Sequence, residues 1–384
     1  MGDELEYDIQ ARLAADGHFL WTTTPYGDPH ASAGKMPAYP AFLGALYALV
    51  GAAPDRALVL QVLLVAPLTV LATWQLGRRL SGPAVGIAAS FVVAVYPGAW
   101  QYEVRLYSES LSTPLTTAML VVFATARGPL SFALLGGLIG AGLLVRPSAA
   151  VLLAGAAVVA WVRCGFRSGT LRLALTVAVA VLVVAPWSVR NALLPGPWVP
   201  LSVQGAAAYG VFNDEAAHDE HHRWAWRPAP SRDADIFERP RTEGELYRDL
   251  LGRAGEYVRE HPSSVPKAFW ANGVRRLWEL RSPSAALFEV PFEGRTRSVA
   301  AVALAAYWVL LPLAVAGCVA LWQRRASAFV MAVAAVALAS SIVYTTDSGT
   351  RYRAPLEPLI VVLACTAVPA LLSRRGRGQR RSGV

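Results

Sequence analysis

The stretch ALVLQVLLVAPLTVLATWQLGRRL, residues 57–80, decides the fold. Residues 57–77 carry no charge, and two arginines follow directly. About 20 apolar residues wound as a helix rise about 30 Å, the thickness of a bilayer's hydrocarbon core. In that solvent a helix satisfies every backbone N–H and C=O within its own segment. Similar blocks recur along the chain, giving nine spans: 56–77, 82–97, 109–126, 129–145, 148–163, 170–188, 299–322, 326–344 and 354–373. The chain reads as all-α, a polytopic membrane protein. Its 55% hydrophobic and 16% charged residues exclude a soluble bundle, since soluble domains average about 25% charged. The apolar segment 39–53, YPAFLGALYALVGAA, is short and reads as interfacial or re-entrant.

The arginines orient these spans. Arg78 and Arg79, Arg127, the group Arg163, Arg167 and Arg172, and Arg324 and Arg325 fill every second connection, and RRGRGQRR (374–381) closes the chain. Cytoplasmic loops carry such an excess. The net charge of +9 is therefore a topology signal, and nucleic-acid binding is excluded. Residues 1–55, 98–108, 146–147, 189–298 and 345–353 fall on the outer face. A chain that starts there without a signal peptide or an upstream span has no way to translocate its first residues. The reading therefore expects a first transmembrane helix that this sequence lacks. Cys164, Cys318 and Cys365 are scattered and show no disulfide or metal spacing.

The organisation expected is an outer loop with an interfacial helix (1–55), a transmembrane bundle (56–188), a large extracytoplasmic loop (189–298), C-terminal transmembrane helices (299–373) and a basic tail (374–384) that anchors to anionic lipid. The large loop holds helical patterns at 245–262 and 265–280. Trp198, Trp224, Trp226, Trp270 and Trp278 lie along it. Tryptophan favours the membrane interface, so the loop is either an amphipathic cap on the outer leaflet or a small domain with its own core.

Acids are scarce. Between residues 31 and 190 there are only Asp55, Glu103 and Glu109. The opening GDELEYD (2–8) adds Asp3, Glu4, Glu6 and Asp8 on the outer face. The same face carries Lys35, Arg105, Arg146, Arg190, Arg351 and Arg353. Ionisable groups near a bilayer are costly and usually functional. A carboxylate can take a proton from an acceptor hydroxyl or amine. Lysine and arginine can hold a phosphate and stabilise its charge as it leaves. The plain alternative makes these residues helix caps and headgroup anchors, with N-capping the competitor for Asp3 and Glu4.

In order along the chain, GDELEYD, GKMPAYPAFLGALYALVG (34–51), LGRRLSG (76–82), YPGAWQYEVRLYSESL (96–111), RNALLPGPWVPLSVQGAAAYGVFND (190–214) and RYRAPLEPLI (351–360) resemble motifs of the GT-C superfamily of membrane glycosyltransferases. The branch most similar includes protein O-mannosyltransferases and the bacterial lipid A aminoarabinose transferase. The resemblance implies an inverting transfer of a sugar from a polyprenyl-phosphate donor to a glycan, lipid or protein acceptor of the cell envelope. It places the active face outside the cytoplasmic membrane and the C-terminus in the cytoplasm. It implies Asp3 as catalytic base with Glu4 beside it, and Glu109 assisting. Lys35, Arg351 and Arg353 would bind the donor phosphate, and Tyr7, Glu103 and Arg105 would support the site. It implies no cofactor and no metal. Met36 departs from the family's Lys-Pro-Pro segment, and Glu6 stands where the aminoarabinose branch often has a base, which argues against an aminoarabinose donor. The family's first helix is also missing, and its loss would leave the Asp-Glu loop poorly held and the chain inactive.

HDEHH (218–222) has metal-like residues, read as a solvated loop or, less favourably, a metal site. Two other functions compete: a non-catalytic protein of the same fold that binds a lipid-linked sugar, and a transporter or flippase. Transporters place charges inside their spans, whereas here charges gather at one face. The topology is testable in a chain freed of its native cysteines. A cysteine at Ser284 will react with an impermeant maleimide in intact cells, and one at Ser168 only after permeabilisation; the reverse pattern overturns the orientation.

Overall fold

In a computed structural model the described residues are 3–23, 27–227, 242–324, 326–347 and 349–381, with the side chains of residue 292 and of 373–381 excepted. Arg325, part of the large loop (228–241) and the side chains of the basic tail lie outside them.

All nine apolar stretches become helices. In chain order the elements the site depends on are α1 (Asp3–Ala15), α2 (Ala38–Val50), α3 (Pro54–Ser81), α4 (Pro83–Val95), α5 (Pro97–Trp100), α6 (Glu109–Thr125), α7 (Pro129–Val145), α8 (Leu152–Cys164), α9 (Phe166–Ala192), α10 (Asp214–His218), α11 (Glu243–Glu260), α12 (Arg297–Gln323), α13 (Ser327–Val343) and α14 (Glu357–Arg381), with short helices Ser264–Ala268 and Pro283–Phe288 in the large loop. Two two-residue strands, Trp21–Thr22 and His30–Ala31, pair antiparallel and are the sheet among the described residues. Six segments are long and apolar enough to cross a membrane: Pro54–Ser81, Pro147–Cys164, Phe166–Ala192, Arg297–Gln323, Ser327–Thr346 and Thr350–Leu372. The chain is a multi-pass membrane protein. The 13 residues of α4 rise only about 20 Å, so the span read at 82–97 is shorter than a bilayer core. Pro97 follows an extended Tyr96 and turns the chain there.

The connections segregate. Contacts Asp3–Arg351, Glu4–Arg105, Glu109–Arg146 and Tyr102–Glu293 gather the described residues of 3–50, 97–108, 146–147, the large loop and 344–356 at one end. At the other end Arg163 donates to Ala126 O at 2.9 Å, and Ser81 meets Thr366 at 3.1 Å. The sequence had assigned these same two sets of connections to opposite faces.

Small residues let the helices approach, as membrane packing requires. The α3–α4 hairpin closes on Gly77 and Gly86, where a Cβ on Gly77 would stand 2.9 Å from Gly86 Cα. A Cβ on Gly317 of α12 would stand 1.9 Å from Leu363 O of α14. Phe123, Phe132, Tyr307 and Phe329 fill the core between the helices.

The large loop partly satisfies both readings of its tryptophans. Tyr209, Phe212, Trp224 and Tyr257 form a small core of its own. Trp198, Trp226 and Trp270 are exposed. Trp278 donates to Ser341 Oγ at 2.8 Å and ties the loop to α13. A capping box of Thr242 and Glu245 starts α11.

Gly317→Leu will force α12 from α14 and cost about 3 kcal/mol or more, read as a lower unfolding temperature in detergent. An unchanged temperature would show that the contact is not tight.

Candidate active site

At the loop-bearing end, α1 opens with Asp3, Glu4 and Glu6 in its first turn, where carboxylates suit the helix dipole. Asp3 reaches across the site rather than along its own helix. Its Oδ1 accepts from Lys35 Nζ at 2.7 Å and its Oδ2 from Arg351 Nη2 at 2.5 Å. Lys35 also pairs with Glu6 at 3.0 Å. The loop bearing Lys35 is fastened from several sides. Arg190 donates to Ser32 O at 2.6 Å, Ala33 N donates to Glu243 Oε2 at 2.7 Å, and Val203 N donates to Ala33 O at 3.1 Å. Tyr7 is buried, with the Lys35 ammonium 5.5 Å from its ring centre and Tyr39 edge-on at 4.7 Å.

Glu109, the first residue of α6, is 1% exposed and pairs with Arg146 and with Arg351 Nε, the latter at 2.9 Å. Arg351 therefore bridges Asp3 and Glu109. It lies 4.7 Å from the Tyr107 ring centre and 5.1 Å from that of Tyr352. Glu4 takes Arg105 in a two-pronged pair at 2.9 and 2.7 Å and accepts from Leu106 N at 3.3 Å.

Two candidates stand apart. Arg353 donates to Glu357 at 2.8 Å and Leu277 O at 2.8 Å, and lies over the Tyr307 ring at 3.6 Å. Residues 350–356 form a 3₁₀ turn, which advances about 120° per residue, so Arg353 faces away from Arg351. Glu103 is buried at 3% exposure and accepts from Thr69 Oγ1 at 2.8 Å. It borders a separate pocket of about 240 Å³ between α3 and α4.

A cavity of about 1260 Å³ separates the cluster from the large loop. Asp3, Lys35, Arg146 and Arg351 line one part, and His221, His222 and Trp226 another. From HDEHH, Asp219 pairs with Arg227 and accepts from the backbone of His221 at 2.9 Å, and His222 stacks on Phe288 at 4.5 Å. Among the described residues no three His, Cys, Asp or Glu are grouped to hold a metal.

Arg146 was read only as one of the outer-face cations and Glu6 as a departure; here Arg146 holds Glu109 and Glu6 holds Lys35. Glu293, on the cavity wall and paired with Arg295 at 2.7 Å, carried no sequence signal.

Burial disfavours charge on Asp3, but Lys35 and Arg351 outweigh it and hold the carboxyl well below its usual range. Asp3 is a carboxylate at neutral pH. Glu103 is the opposite case: burial pushes it up to about 7 against the weaker help of Thr69. Its folded value lies above its ordinary 4.5, so its contribution to stability is full below about pH 4.5 and is lost as pH rises through about 7. Glu103→Gln will therefore stabilise the protein at pH 8, by up to about 3 kcal/mol, and do little at pH 5. Equal effects at both values would place a charged Glu103 in the fold.

No family model matches the chain, and no curated protein matches its sequence. Solved structures do match. One is ArnT from Cupriavidus metallidurans bound to undecaprenyl phosphate, at 15% identity over 96% of this chain and 73% of that one, with a TM-score of 0.43. Another is the archaeal oligosaccharyltransferase AglB from Archaeoglobus fulgidus, in complex with an inhibitory peptide and a dolichol-phosphate. It aligns at 15% identity over 99% of this chain with a TM-score of 0.56, and this chain spans 48% of its length. Both structures belong to the GT-C superfamily, and the chain shares the fold of AglB, the fold its motifs resemble.

Proposed function

We propose that the protein is a glycosyltransferase that moves a sugar from a polyprenyl-phosphate donor to a glycan, lipid or protein acceptor. The observation that carries this reading is Asp3 held between Lys35 and Arg351 on the wall of the 1260 Å³ cavity. A base and phosphate-binding cations are thereby adjacent. The dolichol-phosphate in the AglB complex supports a lipid-phosphate ligand for the shared fold.

Asp3 takes the proton from the acceptor hydroxyl as its oxygen attacks the sugar's anomeric carbon. The bond from that carbon to the phosphate oxygen breaks, its electron pair leaves with the oxygen, and configuration inverts. Polyprenyl phosphate departs from Lys35 and Arg351, and Asp3 returns its proton to water. Such general base catalysis contributes about 10²–10⁴-fold. Glu109 orients Arg351 and Arg146, and Glu4 with Arg105 joins the loops around Asp3. Tyr7 packs beneath Lys35. Arg353 and Glu103 support the site from behind: Arg353 anchors the turn bearing Arg351, and Glu103 anchors the loop bearing Arg105. The arginine pattern puts the cavity on the outer face of the cytoplasmic membrane and the C-terminus inside. The domain limits are those read from the sequence, and membrane lipids surround the bundle.

One observation favours a second reading. A carboxylate saturated by two cations is a weak base, as in a protein that binds a lipid-linked sugar without transferring it. Turnover separates the two. In membranes supplied with a panel of polyprenyl-phosphate sugars, wild type will release polyprenyl phosphate from one donor and Asp3→Asn will lose at least about 100-fold. Lys35→Ala will raise KM. Binding without release by wild type supports the non-catalytic reading; full activity of Asp3→Asn removes Asp3 as base.

A further inference from the structure

We infer that the Asp3 carboxylate, bound to both Lys35 and Arg351, holds the cations that the donor phosphate needs, and that arrival of the phosphate displaces Asp3 from them and so frees it to accept a proton. This rests on the proposed phosphate ligand but goes beyond it, because it makes donor binding the event that creates the base.

The geometry is that of a stand-in. Asp3 puts one oxygen on Lys35 at 2.7 Å and the other on Arg351 at 2.5 Å. Two oxygens of a phosphate can take the same two donors, since arginine and lysine bind carboxylate and phosphate by the same charge-assisted bonds. Among the described residues, charge balance leaves no free cation in the cluster. Lys35 faces Asp3 and Glu6, Arg351 faces Asp3 and Glu109, and Arg146 faces Glu109. Positive and negative groups cancel, so an added phosphate must take cations from a carboxylate already there.

Of the three carboxylates Asp3 is the one placed to yield. Its side chain is 29% exposed, against 22% for Glu6 and 1% for Glu109, and of the three it alone is on the cavity wall. Asp3, Lys35 and Arg351 line the cavity directly. Glu109 keeps Arg146 when Arg351 turns to a ligand, whereas Asp3 shares both its cations with the incoming group. Asp3 also sits at the first turn of α1, where the helix dipole accepts a carboxylate that lets go.

The consequence is an ordered cycle. Before the donor arrives Asp3 is too weak a base to take a proton. With the phosphate on Lys35 and Arg351, its proton affinity rises, and the acceptor's proton passes to it during transfer. The neutral acid cannot compete for the cations, so polyprenyl phosphate stays until Asp3 gives its proton to water. The renewed carboxylate then returns to Lys35 and Arg351 and expels the product.

The test is binding of undecaprenyl phosphate, without sugar, to the full chain in lipid nanodiscs. If Asp3 competes for the cations, Asp3→Asn and Asp3→Ala bind about tenfold or more tighter than wild type while losing transfer. Lys35→Ala binds weaker. Asp8→Asn, whose carboxylate pairs with Arg12 at 2.9 Å away from the cavity, binds as wild type does. Unchanged or weaker binding by Asp3→Asn overturns the inference and leaves the transferase reading standing. No binding by wild type overturns the transferase reading itself. A readout on wild type guards against unstable variants: a carbodiimide, which attacks protonated carboxyls, will modify Asp3 faster with undecaprenyl phosphate bound. Protection of Asp3 by the lipid would count against displacement.

Discussion

Arg351 holds the candidate site together. It lies between two tyrosine rings and pairs with Asp3 and Glu109, carboxylates that enter from α1 and α6. Its own segment leads into α14, the most enclosed of the six helices long enough to cross a membrane. Three remote parts of the chain are thus fixed to one guanidinium. A planar fork is suited to this, since its several N–H groups point in different directions and none can be titrated away. Removing any partner leaves a buried charge uncompensated, which costs about 3–5 kcal/mol. The charges are kept in balance for that reason, and the same balance makes the site responsive to an added anion.

The room for the site comes from a helix that stops early. With α4 only 13 residues long and α5 a single turn, the chain from Gln101 to Ser108 runs as irregular backbone beside α3. Such backbone needs partners at that depth. Gln61 supplies them, donating to Glu103 O at 2.7 Å and Arg105 O at 2.9 Å, while its own oxygen accepts from Tyr39 at 2.9 Å. One side chain of α3 thus positions the loop that carries Arg105 and links it to α2. From the other side, Glu243 and Arg190 fix the loop of Lys35. The large loop is therefore part of the site's frame as well as its roof.

Several members of the site were legible in the sequence because acids are rare in this chain. Asp3, Glu4 and Glu109 stood out against an apolar background, and Lys35 and Arg351 lay in matching connections. All five do meet. Arg353 and Glu103 shared those short segments yet face elsewhere, because direction around a turn is not fixed by sequence proximity. Arg146 was visible as a cation on the same face but not as Glu109's partner, since that pairing depends on how α6 and α7 pack. Glu293 ends a single 3₁₀ turn, Val290–Glu293, too short for a sequence period to show which residue points inward.

The sequence by itself determined that the chain is a helical membrane protein and which connections fall together at each end of it. Uncharged runs of bilayer length can only be helices, and arginines at alternate ends order them; both are local properties of composition. Tertiary structure alone decided which charges neutralise one another. Those pairs join residues as far apart as Asp3 and Arg351, and a burial cost that large is met only when backbone packing brings opposite charges within hydrogen-bonding distance.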